Sequence, residues 1–230
     1  MKWPHKQGEI DPTSVGPGAY VECENYRSAK EHEAAVRKVL VDQASRGQVI
    51  IMKRKDAVAK YGARLRIASL GAVSKKEFDE DGDEIVRVVH DGTRLVEVNT
   101  NIKVRDAGLF PQARDIKCVL RELAALAITP FAVKGDVTEA HRAIDVDPID
   151  WPLQACQVSD RDEDIYINTC GTYGIASASY WWGRCGGSLV RLAYYILGGE
   201  CPIWILLFAD DFRLLVWGKN FMHSILIFFW

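Results

Sequence analysis

Pro202-Ile203-Trp204-Ile205-Leu206-Leu207-Phe208, Ala209-Asp210-Asp211, Phe212-Arg213-Leu214-Leu215-Val216-Trp217 is the stretch on which the fold turns. Two short apolar runs around an acidic two-residue tip, Asp210-Asp211, predict strand, turn, strand. Adjacent aspartates repel each other, and the flanking Ile, Trp, Leu and Phe exclude the water that would screen them. A cation at the tip relieves that repulsion. Hard divalent ions such as Mg²⁺ take carboxylate oxygens, and two of them about 3.5–4 Å apart clamp the attacking and leaving oxygens of a phosphoryl transfer. An ordinary exposed turn has the same composition, because Asp is a favoured turn residue. A third carboxylate from elsewhere in the chain has to separate the two readings.

Phe131-Ala132-Val133-Lys134-Gly135-Asp136 supplies it. The segment reads as a short strand arriving at an aspartate, and Thr138-Glu139-Ala140-His141 turns the chain directly afterwards. An aspartate at a strand end points into whatever cleft lies beyond the sheet. Taken alone it reads equally as a strand terminus or a helix cap.

With 230 residues, 48% of them hydrophobic, and both charge signs abundant, the chain is long and apolar enough for a core and is not disordered. A formal charge of -2 gives no global basic signature, so any affinity for nucleic acid has to reside in local patches. The six cysteines, Cys23, Cys118, Cys156, Cys170, Cys185 and Cys201, form no Cys-x-x-Cys pair and have no histidine at zinc-finger spacing, which predicts free thiols in a reducing compartment. The polar start of the chain lacks the apolar core of a signal peptide. The most apolar stretch, 203–217, is too short for a membrane span and is broken by Asp210, Asp211 and Arg213. A protein of the cytoplasm or nucleus, neither secreted nor membrane-bound, is expected.

Upstream of Tyr26 the chain reads as a loose polar arm. Ser28-x-x-Glu31 has capping-box form, and Ala34, Ala35, Val36, Val39 and Leu40 give the apolar side of a helix that Gly47 stops. A short strand over 48–52 follows, then a short helix opened by Lys53, Arg54 and Lys55 and ended near Gly62, then a strand over 65–73. Lys75 and Lys76 precede the acidic turn Asp79-Glu80-Asp81-Gly82-Asp83, and 84–90 alternates as a strand carrying Arg87. The pattern is a β-hairpin with basic limbs, which can reach phosphates or simply be solvated. Asp91-Gly92-Thr93 and Asn99-Thr100-Asn101 are turns, and Asp115 caps a helix through Ile116, Val119, Leu120, Leu123 and Ala127 to Pro130.

Strands are expected over 153–158 and 164–169. From Ile175 a long helix carries Ala178, Trp182, Cys185, Leu189, Leu192 and Ile196 at steps of three and four, and Gly198-Gly199 ends it. Gly183, Gly186 and Gly187 each cost roughly 1 kcal/mol relative to Ala inside a helix, which points to something approaching the backbone closely. Gly171-Thr172-Tyr173-Gly174 makes an amide-rich helix start where an anion such as a triphosphate can sit.

Taken in order, the basic hairpin, the strand ending in Asp136, the glycine-led helix and the Ala-Asp-Asp hairpin resemble the fingers and palm of a reverse transcriptase of the retroelement type. The similarity runs from about Gly62 to Trp217, and more loosely from Tyr26. Its carriers are Lys134-Gly135-Asp136-Val137-Thr138-Glu139-Ala140-His141, Tyr173-Gly174-Ile175-Ala176-Ser177-Ala178-Ser179 and Phe208-Ala209-Asp210-Asp211. The resemblance implies an α+β fold: a palm, an antiparallel sheet backed by helices, with a fingers subdomain and no thumb. It divides the chain into an arm and helix (1–49), a fingers-like region (50–130), a palm-like region (131–218) with finger-type strands inserted near 146–172, and a truncated end (219–230).

The resemblance further implies an RNA-directed DNA polymerase. Asp136, Asp210 and Asp211 would be its catalytic, metal-binding carboxylates, with the carbonyl of Val137 a further ligand, for two Mg²⁺ ions that Mn²⁺ can replace. Lys75, Lys76 and Arg87 would hold the incoming deoxynucleoside triphosphate, and Ala140, His141, Tyr173, Gly174 and Ser177 would line the nucleotide. The partners would be an RNA or DNA template with its primer.

Two residues depart from the family pattern. His141 stands where Phe or Tyr blocks a ribose 2′-hydroxyl, and Tyr173 stands where Gln or Phe is common. Only 19 residues follow Asp211, with no room for the later palm motifs, primer grip or thumb, so a C-terminally truncated copy is expected. A catalytically silent relic of such an element stays open, as does an unrelated metal-dependent nuclease or interaction domain.

Overall fold

The computed structural model describes residues 20–219 except 81, 107, 199 and 200, together with 222 and 225. The N-terminal arm before Tyr20, Asp81 of the acidic turn, Gly199 and most of the apolar end lie outside the described residues. In chain order the elements are β1 (Val21–Glu22), α1 (Arg27–Glu31), α2 (Glu33–Ser45), β2 (Val49–Lys53), α3 (Arg54–Tyr61), β3 (Arg66–Phe78), β4 (Glu84–Asp91), α4 (Val98–Asn101), α5 (Ala113–Ala125), β5 (Phe131–Asp136), β6 (Ala155–Cys156), β7 (Asp164–Asn168), α6 (Ala176–Leu197), β8 (Ile203–Phe208) and β9 (Asp211–Val216). The fold is mixed α+β. It divides into two compact units, one running to Arg105 and resuming over His141–Ala178, the other made of Asp106–Ala140 and the chain from Ser179. Helix α5, within the 50–130 stretch, belongs to the second unit, and the strands near 146–172 belong to the first.

In the first unit a mixed sheet has the order β1-β3-β6-β7-β2, with β4 paired to the far half of β3. Strand β3 runs parallel to β1 and β6 and antiparallel to β4. Its residues Arg66 through Leu70 are all buried, as a strand covered on both faces requires. Helix α2 packs Val36 and Leu40 against Leu70, Ala72 and Val86.

Two expectations fail here for identifiable reasons. The first helix is broken at His32, whose ring nitrogen lies 2.8 Å from the Ser28 carbonyl oxygen. The Ser28 hydroxyl does not cap Glu31 but accepts the Ala72 amide at 3.2 Å, stitching the helix start to β3. The strand expected over 153–158 is a 3₁₀ turn, Trp151–Gln154, followed by the two residues of β6. Pro152 explains the change: it has no N–H for a ladder and its fixed φ starts a turn.

In the second unit three antiparallel strands have the order β5-β9-β8. Side chains alternate across this sheet. One face presents Ile203, Ile205, Phe212, Leu214 and Val216, which pack with Val190, Ala193, Tyr194 and Leu197 of α6. The other presents Leu206 and Leu215, which with Trp217 meet Val119 and Leu123 of α5. The expected apolar stripe of α6 holds only at its start: Ala178 and Trp182 are buried, whereas Leu189, Leu192 and Ile196 are exposed. Gly186 explains the change, because a β-carbon there would stand 2.6 Å from a Leu207 methyl. At this turn the helix presents Gly186 to the sheet, with Leu189 and Leu192 facing outward.

Asp115 is not the cap of α5 but its third residue. Its carboxylate accepts the Gln112 amide at 2.6 Å in a capping box, so the helix begins three residues earlier than expected. All six cysteines are free. No helix among the described residues is long and apolar enough to cross a membrane.

Leu214 is fully buried whereas Leu189 is half exposed. Leu214→Ala is expected to lower the unfolding free energy by about 2–5 kcal/mol, and Leu189→Ala by less than about 0.5 kcal/mol, both read by urea denaturation.

Candidate functional site

The second unit brings the acidic residues together through strand register. In the β5–β9 ladder Asp136 is the direct cross-strand partner of Asp211, and the Val137 amide donates to the Asp210 carbonyl oxygen at 2.9 Å just beyond the last pair. The hairpin tip is Ala209-Asp210, because Asp211 already pairs with Phe208 as the first residue of β9. The acidic pair expected at the tip is thus split, one residue in the turn and one in the strand. Ala209 has φ +52°, the left-handed geometry that two-residue hairpins use to match strand twist. Its carbonyl accepts the Trp182 indole N–H at 2.9 Å, which ties the tip to α6.

Gly135 explains how β5 can lie so close. A β-carbon there would fall 2.1 Å from the Phe212 ring, its cross-strand partner. The bare backbone leaves that ring its place in the core.

Alternation puts Lys134 and Asp136 of β5 and Asp211 and Arg213 of β9 on one face of the sheet. Lys134 Nζ stands 3.7 Å from Asp211 Oδ1. Among the described residues no three His, Cys, Asp or Glu side chains converge to hold a metal ion. The donors nevertheless fit a hard divalent cation. Directly opposed side chains on one face have β-carbons about 4.5–5.5 Å apart, within reach of a shared ion, and both Asp136 and Asp211 are exposed at the open end of the ladder.

Residues of the first unit form a second constellation. Val73 pairs with Arg87 in the β3–β4 hairpin, and the ladder loses register between Ser74 and Phe78, where the exposed Lys75 and Lys76 fall. The Arg87 guanidinium lies 5.7 Å from the Tyr173 ring centre, and the Tyr173 ring lies 4.8 Å from that of His141. Arg87, Tyr173 and His141 therefore form a contiguous row. Gly174 follows with φ +100°, and a β-carbon there would meet the His90 carbonyl oxygen at 1.8 Å. That strand edge is closed by the His90 amide, which donates to the Tyr173 carbonyl at 2.9 Å.

Of the amides around the expected anion cradle at the start of α6, three are engaged within the protein. The Gly171 amide donates to Ile144, the Ile175 amide to Thr172, and the Ala176 amide to Asn99 Oδ1 at 2.9 Å. Asn99 Nδ2 in turn donates to the Gly174 carbonyl, so one side chain from α4 bridges the first helical amide and the turn before it. Ala140, assigned to the second unit, and Ser177, assigned to the first, are buried. The Ser177 hydroxyl has no hydrogen-bond partner among the described residues.

Sequence reading missed His90, Asn99, Trp182 and Phe212. Asn99 had a signal, since Asn is a preferred capping residue, but its helix begins 77 positions later. Comparison with protein-family models and with curated proteins gives no match for this chain.

His90 is fully buried with neither ring nitrogen hydrogen-bonded among the described residues. Burial, reinforced by the Arg142 guanidinium, pushes its pKa down from 6.5 to about 4. The unfolded state binds the extra proton between those two values. The stability held above about pH 6.5 is therefore lost as pH falls toward 4, by about 3 kcal/mol at roughly 1.4 kcal/mol per unit. Urea denaturation at pH 7 and pH 4 is expected to show that additional loss in the wild type relative to His90→Phe.

Proposed function

We propose that this chain is the fingers and palm of a retroelement-type reverse transcriptase, transferring deoxynucleotides to a primer 3′-hydroxyl on an RNA or DNA template. The observation that carries the reading is the register of β5 on β9. Carboxylates about 75 positions apart in the chain stand directly opposite each other, with Asp210 joined to Val137 beside them. The three-stranded antiparallel sheet packed on α6 suits a palm, and the long β3–β4 hairpin with Lys75, Lys76 and Arg87 suits the fingers.

Asp136, Asp210 and Asp211, with the Val137 carbonyl, are the groups that would hold Mg²⁺ or Mn²⁺. When bound, such ions lower the pKa of the primer hydroxyl and neutralise the leaving pyrophosphate. The chain's own residues position and screen. Arg87 and the two lysines offer cations to the triphosphate. His141 and Tyr173 would present ring faces and edges to the sugar and base, and Gly174 lets the chain beside Tyr173 run close against the His90 carbonyl.

The reading is tested by primer extension on an RNA template with Mg²⁺. Asp210→Asn is expected to reduce nucleotide addition on the order of a hundredfold or more while leaving the unfolding midpoint unchanged. Activity equal to wild type in that variant overturns the assignment. His141→Phe is expected to raise the preference for deoxynucleotides over ribonucleotides, read as the ratio of the two kcat/KM values. An unchanged ratio removes His141 from the sugar contact.

A further inference from the structure

We propose that Lys134 is a built-in counter-ion of the acidic edge, holding Asp211 in the metal-free protein and yielding to an incoming divalent cation. The proposal rests on the carboxylate assignment above and concerns how that site is regulated.

The four charged residues on this face of the sheet form two like-charged rows. Asp136 opposes Asp211, and Lys134 opposes Arg213. Like charges directly opposite destabilise a strand pair. Each row tolerates the other because opposite charges meet on the diagonal, and Lys134 Nζ stands 3.7 Å from Asp211 Oδ1. The four formal charges cancel, so without metal the edge is nearly neutral apart from Asp210.

The ion pair is exposed, with 68% of the Lys134 side chain and 53% of the Asp211 side chain accessible. Such a pair adds little to stability. Its effect on a divalent ion is larger, because the ion carries twice the charge and would sit within a few ångströms of the ammonium. The flexible lysine stem can swing clear when the ion arrives, whereas Arg213, half-buried on the central strand, has less freedom. Lys134 therefore weakens metal binding and makes it depend on salt, since a monovalent electrolyte screens the same ammonium.

The test is titration of the full chain with Mn²⁺, bound ion being counted by electron paramagnetic resonance, for wild type, Lys134→Gln, Lys134→Met and Asp210→Asn. The lysine variants are expected to bind Mn²⁺ about three- to tenfold more tightly than wild type at low ionic strength, the gap shrinking at high salt. Asp210→Asn is expected to bind more weakly. Equal or weaker binding by both lysine variants, with the wild type binding and Asp210→Asn impaired, overturns the counter-ion role and leaves the carboxylate assignment standing. No binding by any of the four proteins overturns both.

Discussion

The pairing of β5 with β9 is the constraint from which the acidic edge follows. Side chains alternate along a strand, so a slip of one residue in this ladder would send Asp136 to the face packed on α6 and leave Asp211 opposite glycine or valine. Two features hold the register. Val133 on β5 and Leu214 on β9 are cross-strand partners on the apolar face, and both belong to the cluster that α6 covers. Gly135 opposite Phe212 adds a steric lock, since the ring occupies the volume that any other residue at 135 would claim. Core and acidic edge are therefore fixed by the same ladder, read from its two faces.

The opposite face changes character along its length. Around Leu206, Leu215 and Trp217 it is apolar and covered by α5. Toward the tip it carries Lys134, Asp136, Asp211 and Arg213, and there it opens to solvent. Charges at this end keep their hydration, so the like-charged rows cost far less than they would beneath a helix. The Trp182 to Ala209 hydrogen bond then fixes the turn that presents Asp210, at the expense of a left-handed alanine. That conformation costs an alanine about 1 kcal/mol, and the indole bond and the Val137 to Asp210 amide bond sit on either side of it.

Strong local signals made much of this legible in the sequence. β5 occupies the stretch from Phe131 to Asp136 read from its composition, and the β8–β9 hairpin and the β3–β4 hairpin follow from apolar runs broken by polar turns. Where sequence reading failed, the deciding partner was distant in the chain. The stripe of α6 was drawn through its leucines, but Leu207 of β8 selects the glycine side. Ser28 satisfied a local capping pattern, yet Ala72 of β3 takes its hydroxyl. At the start of α6, Asn99 from 77 positions upstream takes the Ala176 amide. Pro152 was the one local signal that should have ended a strand assignment. The opposition of Asp136 and Asp211 needed the register itself, which no periodicity within either strand contains.

On the proposed reading, the contact between His141 and Tyr173 bears on the two departures from the reverse-transcriptase pattern. Treated separately, position 141 exchanges Phe or Tyr for a smaller imidazole, and position 173 holds tyrosine where Gln or Phe is common. In the structure the two rings lie 4.8 Å apart at a tilt of 60°, and Arg87 covers the tyrosine. His141 thus has an aromatic neighbour in Tyr173, close in space though 32 positions away in the chain. A row of cation, phenol and imidazole also differs in chemistry from a phenylalanine wall, because phenol and imidazole can both hydrogen-bond. On the proposed reading such a row meets a sugar with polar edges as well as with bulk. Selectivity there would then depend on the pair acting together, and neither residue alone would define the gate.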